Sequence, residues 1–327
     1  MEYALIDRPV VTIYDLPAET MQGDAGVLSA IGDEGLYGQA CRVLAGPGGT
    51  AADGTALPGD FTEILTFYGY HGYVHAAQLR FCTGGELRAR LQSRRALAGR
   101  TTDVLSLPGV QGVRLLTLER GGTLRLAPPE QPTPGWARVL LNDGTAGYVW
   151  QVALEPVLYR ETAVFALDGA RRFDEAFALA EGTQPQQLVP QALARCFAGS
   201  EAAFRAAVLA TAKKYLGVEY RWGGKSPRGI DCSGLTSTSY LQNGVLIYRD
   251  AKIVEGWPVR AIPRTAAQPG DLLYFPGHIA LYLGGGEYIH STGAAESGGV
   301  VINSLDPASP RYRRDLDEAL YTAGTVF

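Results

Sequence analysis

Cysteine is scarce in this chain, with four residues in 327. Cys41, Cys82, Cys196 and Cys232 form no C-x-x-C pair, and nothing in their spacing resembles a zinc ribbon. A reducing compartment fits this usage. Cys41, Cys82 and Cys196 are expected to be small buried apolar residues, because free cysteine behaves that way in most folds. Cys232 stands apart because of the residues around it.

Basic charge and long apolar runs are also lacking. The formal net charge is −4 and the pI is near 5.7, so no basic field is present to attract nucleic acid. No run of about 18 apolar residues predicts a membrane span. The first residues, Met-Glu-Tyr-Ala-Leu-Ile-Asp-Arg-Pro, lack the basic start and apolar core of a signal peptide. For a sequence complete at this end, we expect a cytoplasmic protein.

The length predicts two or three domains, and the hydrophobic content of 46% is ordinary for globular proteins. Residues 10–14, 40–44 and 63–68 are rich in β-branched and aromatic side chains and predict short strands. Residues 15–36 are expected to hold a helical insertion. This pattern predicts a small β-barrel over residues 1–84.

A short repeat indicates a second barrel. Gly72-Tyr73-Val74 followed by Leu79 recurs as Gly147-Tyr148-Val149 followed by Leu154. The second barrel is predicted over 102–157, with a proline-rich loop at 128–135. Residues 158–199 are expected to form a connector, with a helix near 173–180 that ends at 182–185. Apolar residues at helical spacing then predict a helix from Ser200 to Gly217, which opens an α+β domain over 200–327.

The sharpest chemical signal is Cys232. It follows a glycine-rich aromatic loop, and the residues after it predict a helix of about three turns that ends at Gly244. Asp231 is a favourable N-cap residue. Cys232 would then lie in the first turn, where backbone N–H groups and the helix dipole favour a thiolate and can hold an oxyanion.

Two of the four histidines follow on a predicted hairpin. Residues 278–283 and 287–291 predict the strands, and Gly284-Gly285-Gly286 predicts the turn. A turn centred on Gly284 places His278 directly opposite His290, with Cβ atoms roughly 5 Å apart. His278 would take the thiol proton, and His290 would hold the other ring nitrogen of His278 in the required tautomer.

Four motifs in this order resemble the NlpC/P60 family of cell-wall peptidases. They are Tyr-Arg-Trp-Gly-Gly-Lys-Ser at 220–226, Gly-Ile-Asp-Cys-Ser-Gly-Leu at 229–235, Gln-Pro-Gly-Asp-Leu-Leu-Tyr-Phe at 268–275 and Gly-His-Ile-Ala-Leu-Tyr-Leu-Gly at 277–284. The preceding barrels resemble bacterial SH3 domains. The arrangement is similar to the branch of the family in which two such barrels precede the peptidase domain. The resemblance implies a papain-like fold and hydrolysis of the γ-D-glutamyl bond to a diamino acid in peptidoglycan stem peptides.

The resemblance also implies site roles. Cys232 is implied as nucleophile, His278 as base, His290 as the third polar member, and Tyr220 as an oxyanion donor. Trp222 matches a pocket wall, and Asp231, Ser233 and Tyr70 match positions that recognise a free N-terminal L-Ala, with Tyr68 and Tyr73 as alternatives to Tyr70. Arg249-Asp250-Ala251 matches a segment lining the D-Glu pocket, in which Ala251 replaces a serine and removes one hydrogen bond.

Physical chemistry supports recognition of an amine independently. A fixed ammonium needs a carboxylate in a partly dry pocket, and Asp231 adjoins the nucleophile. Such an enzyme would cut only peptides whose L-Ala end is free, which indicates recycling of released wall peptides.

No cofactor is expected. The open alternatives are a zinc site at Cys232, His278 and His290, a wall-binding module with an inactive peptidase domain, an acyltransferase of related fold, and a secreted wall hydrolase. The zinc reading is disfavoured because no carboxylate suited to orient the histidine ligands is obvious.

Overall fold

The structure is a computed structural model that describes residues 2–24, 26–128, 133–166 and 185–327, with side chains from 189 onward in the last range. Two compact units are present. Among the described residues, the first comprises 2–157 and 161–166, and the second comprises 158–160 and 185–327. The predicted helix at 173–180 lies outside the described residues, as do parts of the predicted break at 182–185 and of the proline-rich loop. The helices are α1 (Gly84–Gln92), α2 (Ala163–Ala166), α3 (Pro185–Cys196), α4 (Glu201–Lys213), α5 (Cys232–Gln242) and α6 (Arg314–Ala319).

The first unit contains two seven-stranded antiparallel sheets. One has the strand order β5-β2-β8-β7-β6-β1-β9, with a separate β3–β4 hairpin, and the other has the order β12-β11-β15-β14-β13-β10-β16. The first set of strands is β1 (Tyr3–Ile6), β2 (Val10–Tyr14), β3 (Thr20–Gly23), β4 (Gly26–Ser29), β5 (Ile31–Leu36), β6 (Ala40–Ala45), β7 (Phe61–Thr66), β8 (His71–His75) and β9 (Leu79–Cys82). The second set is β10 (Arg95–Ala98), β11 (Thr102–Leu105), β12 (Arg114–Leu118), β13 (Thr123–Leu126), β14 (Trp136–Leu140), β15 (Ala146–Trp150) and β16 (Leu154–Pro156).

The two sheets share one topology, and the repeat in the sequence marks it. The repeated Gly-Tyr-Val lies on β8 and again on β15, and each copy is followed by a single 3₁₀ turn before the last strand. A Cβ at Gly72 would lie 2.5 Å from the side chain of Ile13, and a Cβ at Gly147 would lie 2.5 Å from that of Val104. The glycine is therefore needed in both copies, because the neighbouring strand passes too close for a side chain.

The expected helix within residues 15–36 is wrong, since this segment contains the strands β3 (Thr20–Gly23), β4 (Gly26–Ser29) and β5 (Ile31–Leu36). Gly26 has a φ of +125°, which a helix does not use. β5 pairs with β2 from Leu36 opposite Val10 to Ile31 opposite Tyr14, which holds this segment in the sheet as an edge strand. The second sheet begins at Arg95 on β10, ahead of residue 102 where the sequence predicted its start.

Polar contacts join the two sheets of the first unit. The backbone N–H of Asn142 donates to Tyr37 Oη at 2.7 Å, and Asn142 Nδ2 donates to the Ile6 carbonyl at 3.0 Å. The buried Glu161 carboxylate accepts from the Ala40 N–H and from the Arg95 guanidinium. Both sheets are thus held within a single compact unit.

The second unit has a six-stranded antiparallel sheet of order β19-β24-β20-β21-β22-β23, against which α5 packs. The strands predicted at 278–283 and 287–291 are confirmed within one residue. Ser200 caps α4, as predicted, by accepting from the N–H of Ala203. The strands of this unit are β17 (Lys225–Ser226), β18 (Gly229–Ile230), β19 (Arg260–Ile262), β20 (Leu272–Phe275), β21 (His278–Gly284), β22 (Glu287–Thr292), β23 (Gly299–Ser304) and β24 (Thr322–Thr325).

Buried apolar side chains from α4, α5 and the central strands form the core of the second unit. Phe204, Val208, Leu235, Ile279 and Ile289 are each at most 1% exposed. Cys232 belongs to the same cluster. The core therefore fixes the start of α5 against β21. No helix among the described residues is long and apolar enough to cross a membrane.

Candidate active site

Cys232 is the first residue of α5, at the edge of the core. Asp231 caps the helix, as predicted, because its side chain accepts from the N–H of Gly234. The glycine loop before the helix packs directly on its first turn, since a Cβ at Gly234 would lie 2.1 Å from the Gly224 carbonyl oxygen. The N–H of Asp231 also donates to that oxygen at 3.1 Å. Gly224 and Gly234 thereby set the position of the cysteine.

The surroundings of the sulfur favour a neutral thiol. Burial raises the pKa of Cys232 to about 11, and the adjacent Asp231 carboxylate raises it as well. Backbone N–H groups of Ile279 and Ser233 donate to the sulfur and act in the opposite direction, but they do not outweigh burial. The Ser233 N–H at the start of the helix thus favours a thiolate, as predicted, but burial outweighs its effect on the pKa. The Ile279 N–H that donates to the sulfur belongs to the residue directly after His278.

The two histidines lie on one face of adjacent strands but not directly opposite each other. Leu281 pairs with Ile289 and Tyr282 with Tyr288, after which the register shifts at a bulge before Gly284 pairs with Glu287. The turn is therefore Gly285-Gly286, and His278 is displaced by two residues from the position opposite His290. The predicted direct pairing is wrong. A shift of two residues preserves the face, so the rings still meet diagonally.

The rings are in hydrogen-bond contact. His278 Nε2 lies 2.7 Å from His290 Nδ1, and His290 Nε2 lies 2.8 Å from Asn303 Oδ1 on β23. Burial, with smaller contributions from His290 and Arg313, lowers the pKa of His278 to about 3. Burial likewise lowers the pKa of His290 to about 4. Both imidazoles are therefore neutral near neutral pH.

Sequence reasoning missed Asn303. Strand 300–304 is apolar at Val300, Val301 and Ile302, and Asn303 interrupts that run. His290 pairs with Val301, so Asn303 shares the face of His290 because side chains two residues apart lie on one face. The alternation of side chains between the two faces of this strand was the signal that could have identified Asn303.

A buried polar cluster surrounds the residues that flank the cysteine. Asp231 accepts from the backbone N–H of Gly223 at 2.9 Å and from both terminal nitrogens of Arg249 at 3.3 and 3.2 Å. Arg249 also donates to Ser233 Oγ at 2.7 Å, and Ser233 Oγ donates to Asp231 Oδ1 at 3.2 Å. Arg249 is only 6% exposed. The sequence placed it in the segment matched to the D-Glu pocket but did not predict its contacts with Asp231 and Ser233. A buried arginine so placed holds the Asp231 carboxylate rigid and compensates its charge.

The remaining predicted residues of this unit differ in exposure. Tyr220 is half-buried, and burial together with the charges of Cys232 and Asp231 raises its pKa to about 12. Its hydroxyl is therefore protonated at neutral pH and able to donate. Trp222 is 68% exposed, and Asp250 is half-buried.

Tyr70 and its alternatives lie in the first unit. Tyr70 is half-buried and its hydroxyl donates to Asp15 Oδ1 at 3.0 Å. Tyr68 is buried and its hydroxyl donates to Asp33 Oδ2 at 2.5 Å. Tyr73 is also buried, and its ring packs edge-on against His71.

Within the described ranges, no group of three or more His, Cys, Asp or Glu side chains is arranged to hold a metal ion. The structure provides a buried thiol that accepts from the N–H of the residue after His278, and a hydrogen-bonded pair of neutral imidazoles. A thiol, an adjacent base and a group that orients the base are the components of nucleophilic acyl chemistry.

Comparison with known proteins agrees with this chemistry. Residues 217–314 match the NlpC/P60 family. The chain is 35% identical over 298 residues to dipeptidyl-peptidase 6 of Lysinibacillus sphaericus, a match that covers 90% of this chain and 92% of that protein. It is 39% identical over 95 residues to the γ-D-glutamyl-L-lysine dipeptidyl-peptidase of Bacillus cereus, covering 27% of this chain and 28% of that protein.

A solved structure shares the fold. The crystal structure of an NlpC/P60 family protein from Bacillus cereus ATCC 10987 superposes with a TM-score of 0.64 and 21% identity, covering 98% of each chain. The similarity to the Lysinibacillus protein extends over both units. The protein is a cysteine peptidase that belongs to the NlpC/P60 family.

Proposed function

We propose that this enzyme hydrolyses the γ-D-glutamyl–diamino acid bond of peptidoglycan stem peptides that carry a free N-terminal L-Ala, in the recycling of wall peptides. The observation that carries the proposal is the similarity to dipeptidyl-peptidase 6 along nine-tenths of the chain. The hydrogen bond between His278 and His290 and the Ile279 N–H on the Cys232 sulfur support it. The Bacillus cereus relative named for a γ-D-glutamyl-L-lysine bond supports the choice of bond.

The proposed reaction begins from neutral partners. Cys232 Sγ attacks the γ-carbonyl of D-Glu while His278 takes the thiol proton. The Cys232 N–H and the Tyr220 hydroxyl stabilise the oxyanion. His278 then donates its proton to the leaving amine, and water hydrolyses the acyl-enzyme. The high pKa of the thiol fits this sequence, because the proton leaves as the carbon–sulfur bond forms.

Selection of the free amine is proposed to involve Asp231 and Ser233, with Tyr70 from the first unit. Arg249 supports this proposal because it holds both Asp231 and Ser233 in place. Trp222 is proposed to wall the pocket, and Asp250 to line the D-Glu site. Ala251 offers no hydroxyl there, so recognition of the D-Glu α-carboxylate would depend on other donors.

We further propose that the two seven-stranded sheets, over residues 3–82 and 95–156, are SH3-like barrels that precede a papain-like domain over 200–327. Their shared strand order supports a duplicated module. An enzyme that requires a free L-Ala end acts on peptides already released from the wall. A cytoplasmic location is proposed for that reason.

The test compares L-Ala-γ-D-Glu-diamino acid with its N-acetylated form. The proposal expects cleavage of the free peptide at the γ-bond, with loss of at least roughly 10-fold in kcat/KM on acetylation, as for a lost hydrogen bond to a charged group. Cys232→Ala should abolish cleavage and retain binding.

Equal cleavage of both peptides would instead favour a secreted wall hydrolase. Transfer of the acyl group to an added amine in preference to water would favour an acyltransferase. Binding without turnover by the unaltered enzyme would favour a wall-binding module. Hydrolysis retained in Cys232→Ala would contradict the assignment of the nucleophile.

A further inference from the structure

Three polar side chains cross the sheet of the second unit in one oblique row. His278 lies on β21, His290 on β22 and Asn303 on β23, and each is displaced by two residues from the position directly opposite its neighbour. The displacement has the same direction at both steps, so the row runs diagonally over three strands. Diagonal neighbours in a sheet are within reach of long side chains. The contacts of 2.7 and 2.8 Å along this row are the consequence.

The orientation of the Asn303 amide determines the proton position on His290. Asn303 Nδ2 donates to the Arg311 carbonyl, which also accepts from the Ser304 N–H. The opposite orientation would set Asn303 Oδ1 against that carbonyl oxygen, two acceptors without a proton between them. Oδ1 therefore faces His290 Nε2, and an amide oxygen can only accept. His290 Nε2 must carry the hydrogen.

The same logic continues to His278. A neutral imidazole with a hydrogen on Nε2 has a lone pair on Nδ1, so His290 Nδ1 accepts from His278 Nε2–H. His278 Nδ1 then holds the lone pair that receives a thiol proton. We infer that Asn303 is a positioning residue that sets the tautomers of both histidines and thereby keeps His278 Nδ1 available as the base.

This inference deepens the proposed mechanism and rests on the roles given there to Cys232 and His278. When the S–H bond breaks and the proton moves to His278 Nδ1, the new imidazolium still donates Nε2–H to His290. Asn303 does not touch the substrate and changes no bond itself. It acts through His290, because its amide oxygen disfavours the Nδ1–H tautomer of that ring.

The groups around the row favour the neutral form of both His278 and His290. The Arg313 guanidinium disfavours a positive charge on both rings, while Asp315 partly opposes this effect at His290. The rings of Phe275 and Tyr288 pack against His278 and His290 respectively. An amide orients His290 without adding a charge, whereas a carboxylate at that position would stabilise its protonated form.

The direct experiment is long-range ¹H–¹⁵N correlation NMR on the full chain labelled with ¹⁵N-histidine, which has only four histidines to assign. The expected result for the unaltered enzyme is Nε2–H on both His278 and His290. Asn303→Leu, which removes the acceptor, should show the Nδ1–H tautomer at His290. Asn303→Asp, which retains an acceptor, should keep Nε2–H. Finding Nδ1–H at His290 in the unaltered enzyme would overturn the inference.

Kinetics supply the second readout. Asn303→Leu should lower kcat by roughly 10- to 100-fold with KM within about twofold, a part of what general-base catalysis supplies. Asn303→Asp should recover most of that loss and move the acidic limb of the pH profile to higher pH. The matched control is Arg311→Ala, which removes an exposed ion pair with Glu287 but leaves the Arg311 carbonyl in place. It should retain unaltered kinetics.

Failure of the proposed function can be distinguished from failure of the role inferred for Asn303. Alkylation of Cys232 by iodoacetamide, measured by mass spectrometry, needs no peptide substrate. Asn303→Leu should slow it at neutral pH by a similar factor. Should the unaltered enzyme fail to cleave the γ-bond, the proposed function falls, while the tautomers and alkylation rates still decide the role of Asn303. A soluble, folded Asn303→Leu with unaltered tautomers and alkylation rate would contradict that role.

Discussion

At the scale of single residues, His278 and His290 are in surroundings that disfavour protonation. Burial is the main cause for each ring, and the Arg313 guanidinium adds to it. In the unfolded chain both would titrate near the ordinary histidine value of about 6.5. Below that pH the unfolded state therefore binds more protons than the folded state, and acidification favours unfolding.

We predict that the second unit loses stability as pH falls from about 7 to about 5. With folded pKa values of about 3 and about 4, each histidine contributes a slope of up to about 1.4 kcal/mol per pH unit in that window. The measurement is hydrogen exchange of those β21 and β22 amides that exchange only when the second unit unfolds, from which its free energy of unfolding is obtained at both pH values. His278→Gln should lose part of the slope, whereas His75→Gln in the first unit should retain it. A slope unchanged by His278→Gln would contradict the depressed pKa.

The residues that were predictable are those with local signatures. The sequence predicted Asp231 as an N-cap and Cys232 in the first turn of a helix, because capping depends on a few neighbouring positions. Asn303 and Arg249 contact partners that are 13 to 18 residues away, and only the folded sheet and loop bring them there. Their roles depend on tertiary contacts that no short motif encodes.

At the scale of elements, the start of α5 depends on a contact between two glycines. Gly234 lies in the first turn, and the loop carbonyl of Gly224 approaches it more closely than a side chain permits. That carbonyl also accepts from the Asp231 N–H. The loop therefore fixes the direction of the first turn, which carries the Cys232 N–H proposed to hold the oxyanion.

Gly234→Ala should destabilise the second unit by roughly 1–3 kcal/mol, although alanine ordinarily favours a helix, because the new methyl group cannot fit beside the Gly224 carbonyl. Activity should fall on the order of 10²-fold through displacement of the first turn. Chemical denaturation and peptide hydrolysis measure the two effects. Gly85→Ala in the exposed first turn of α1 is the control, with its nearest contact at 3.9 Å, and should be neutral or stabilising. A stabilised Gly234→Ala would contradict the packing described.

The strands around the site were predictable because alternating apolar residues reveal them, but their exact pairing was not. Gly284, at the end of β21, and the two turn residues Gly285 and Gly286 all have positive φ, so composition left several positions open for the turn. A bulge between Tyr282 and Gly284 then changes the register by an amount that the pattern does not encode. The segment 15–36 misled for a related reason, since β5 is held by pairing with the distant β2.

At the scale of the whole molecule, the first unit repeats one seven-stranded topology. Both copies place a glycine where adjacent strands approach and a tyrosine directly after it, at Tyr73 and Tyr148. Tyr70 precedes the first copy, near the turn before β8, with its hydroxyl on Asp15. Both copies therefore carry a tyrosine at the repeated position, but only tyrosines of the first copy are proposed to contact the substrate.

If the first unit selects the free L-Ala end, Tyr70→Phe should lower kcat/KM for the free peptide by roughly 10- to 100-fold, as expected for a hydrogen bond to a charged group. The loss should appear mainly in KM, and the N-acetylated peptide should be little affected, because it lacks the ammonium. Tyr148→Phe, at the position in the second sheet that corresponds to Tyr73, is the control and should leave kcat/KM for both peptides unchanged. An effect confined to Tyr68→Phe would move the contact to the tyrosine bound to Asp33. Unaltered discrimination in Tyr68→Phe, Tyr70→Phe and Tyr73→Phe alike would leave selection of the amine to Asp231 and Ser233 alone.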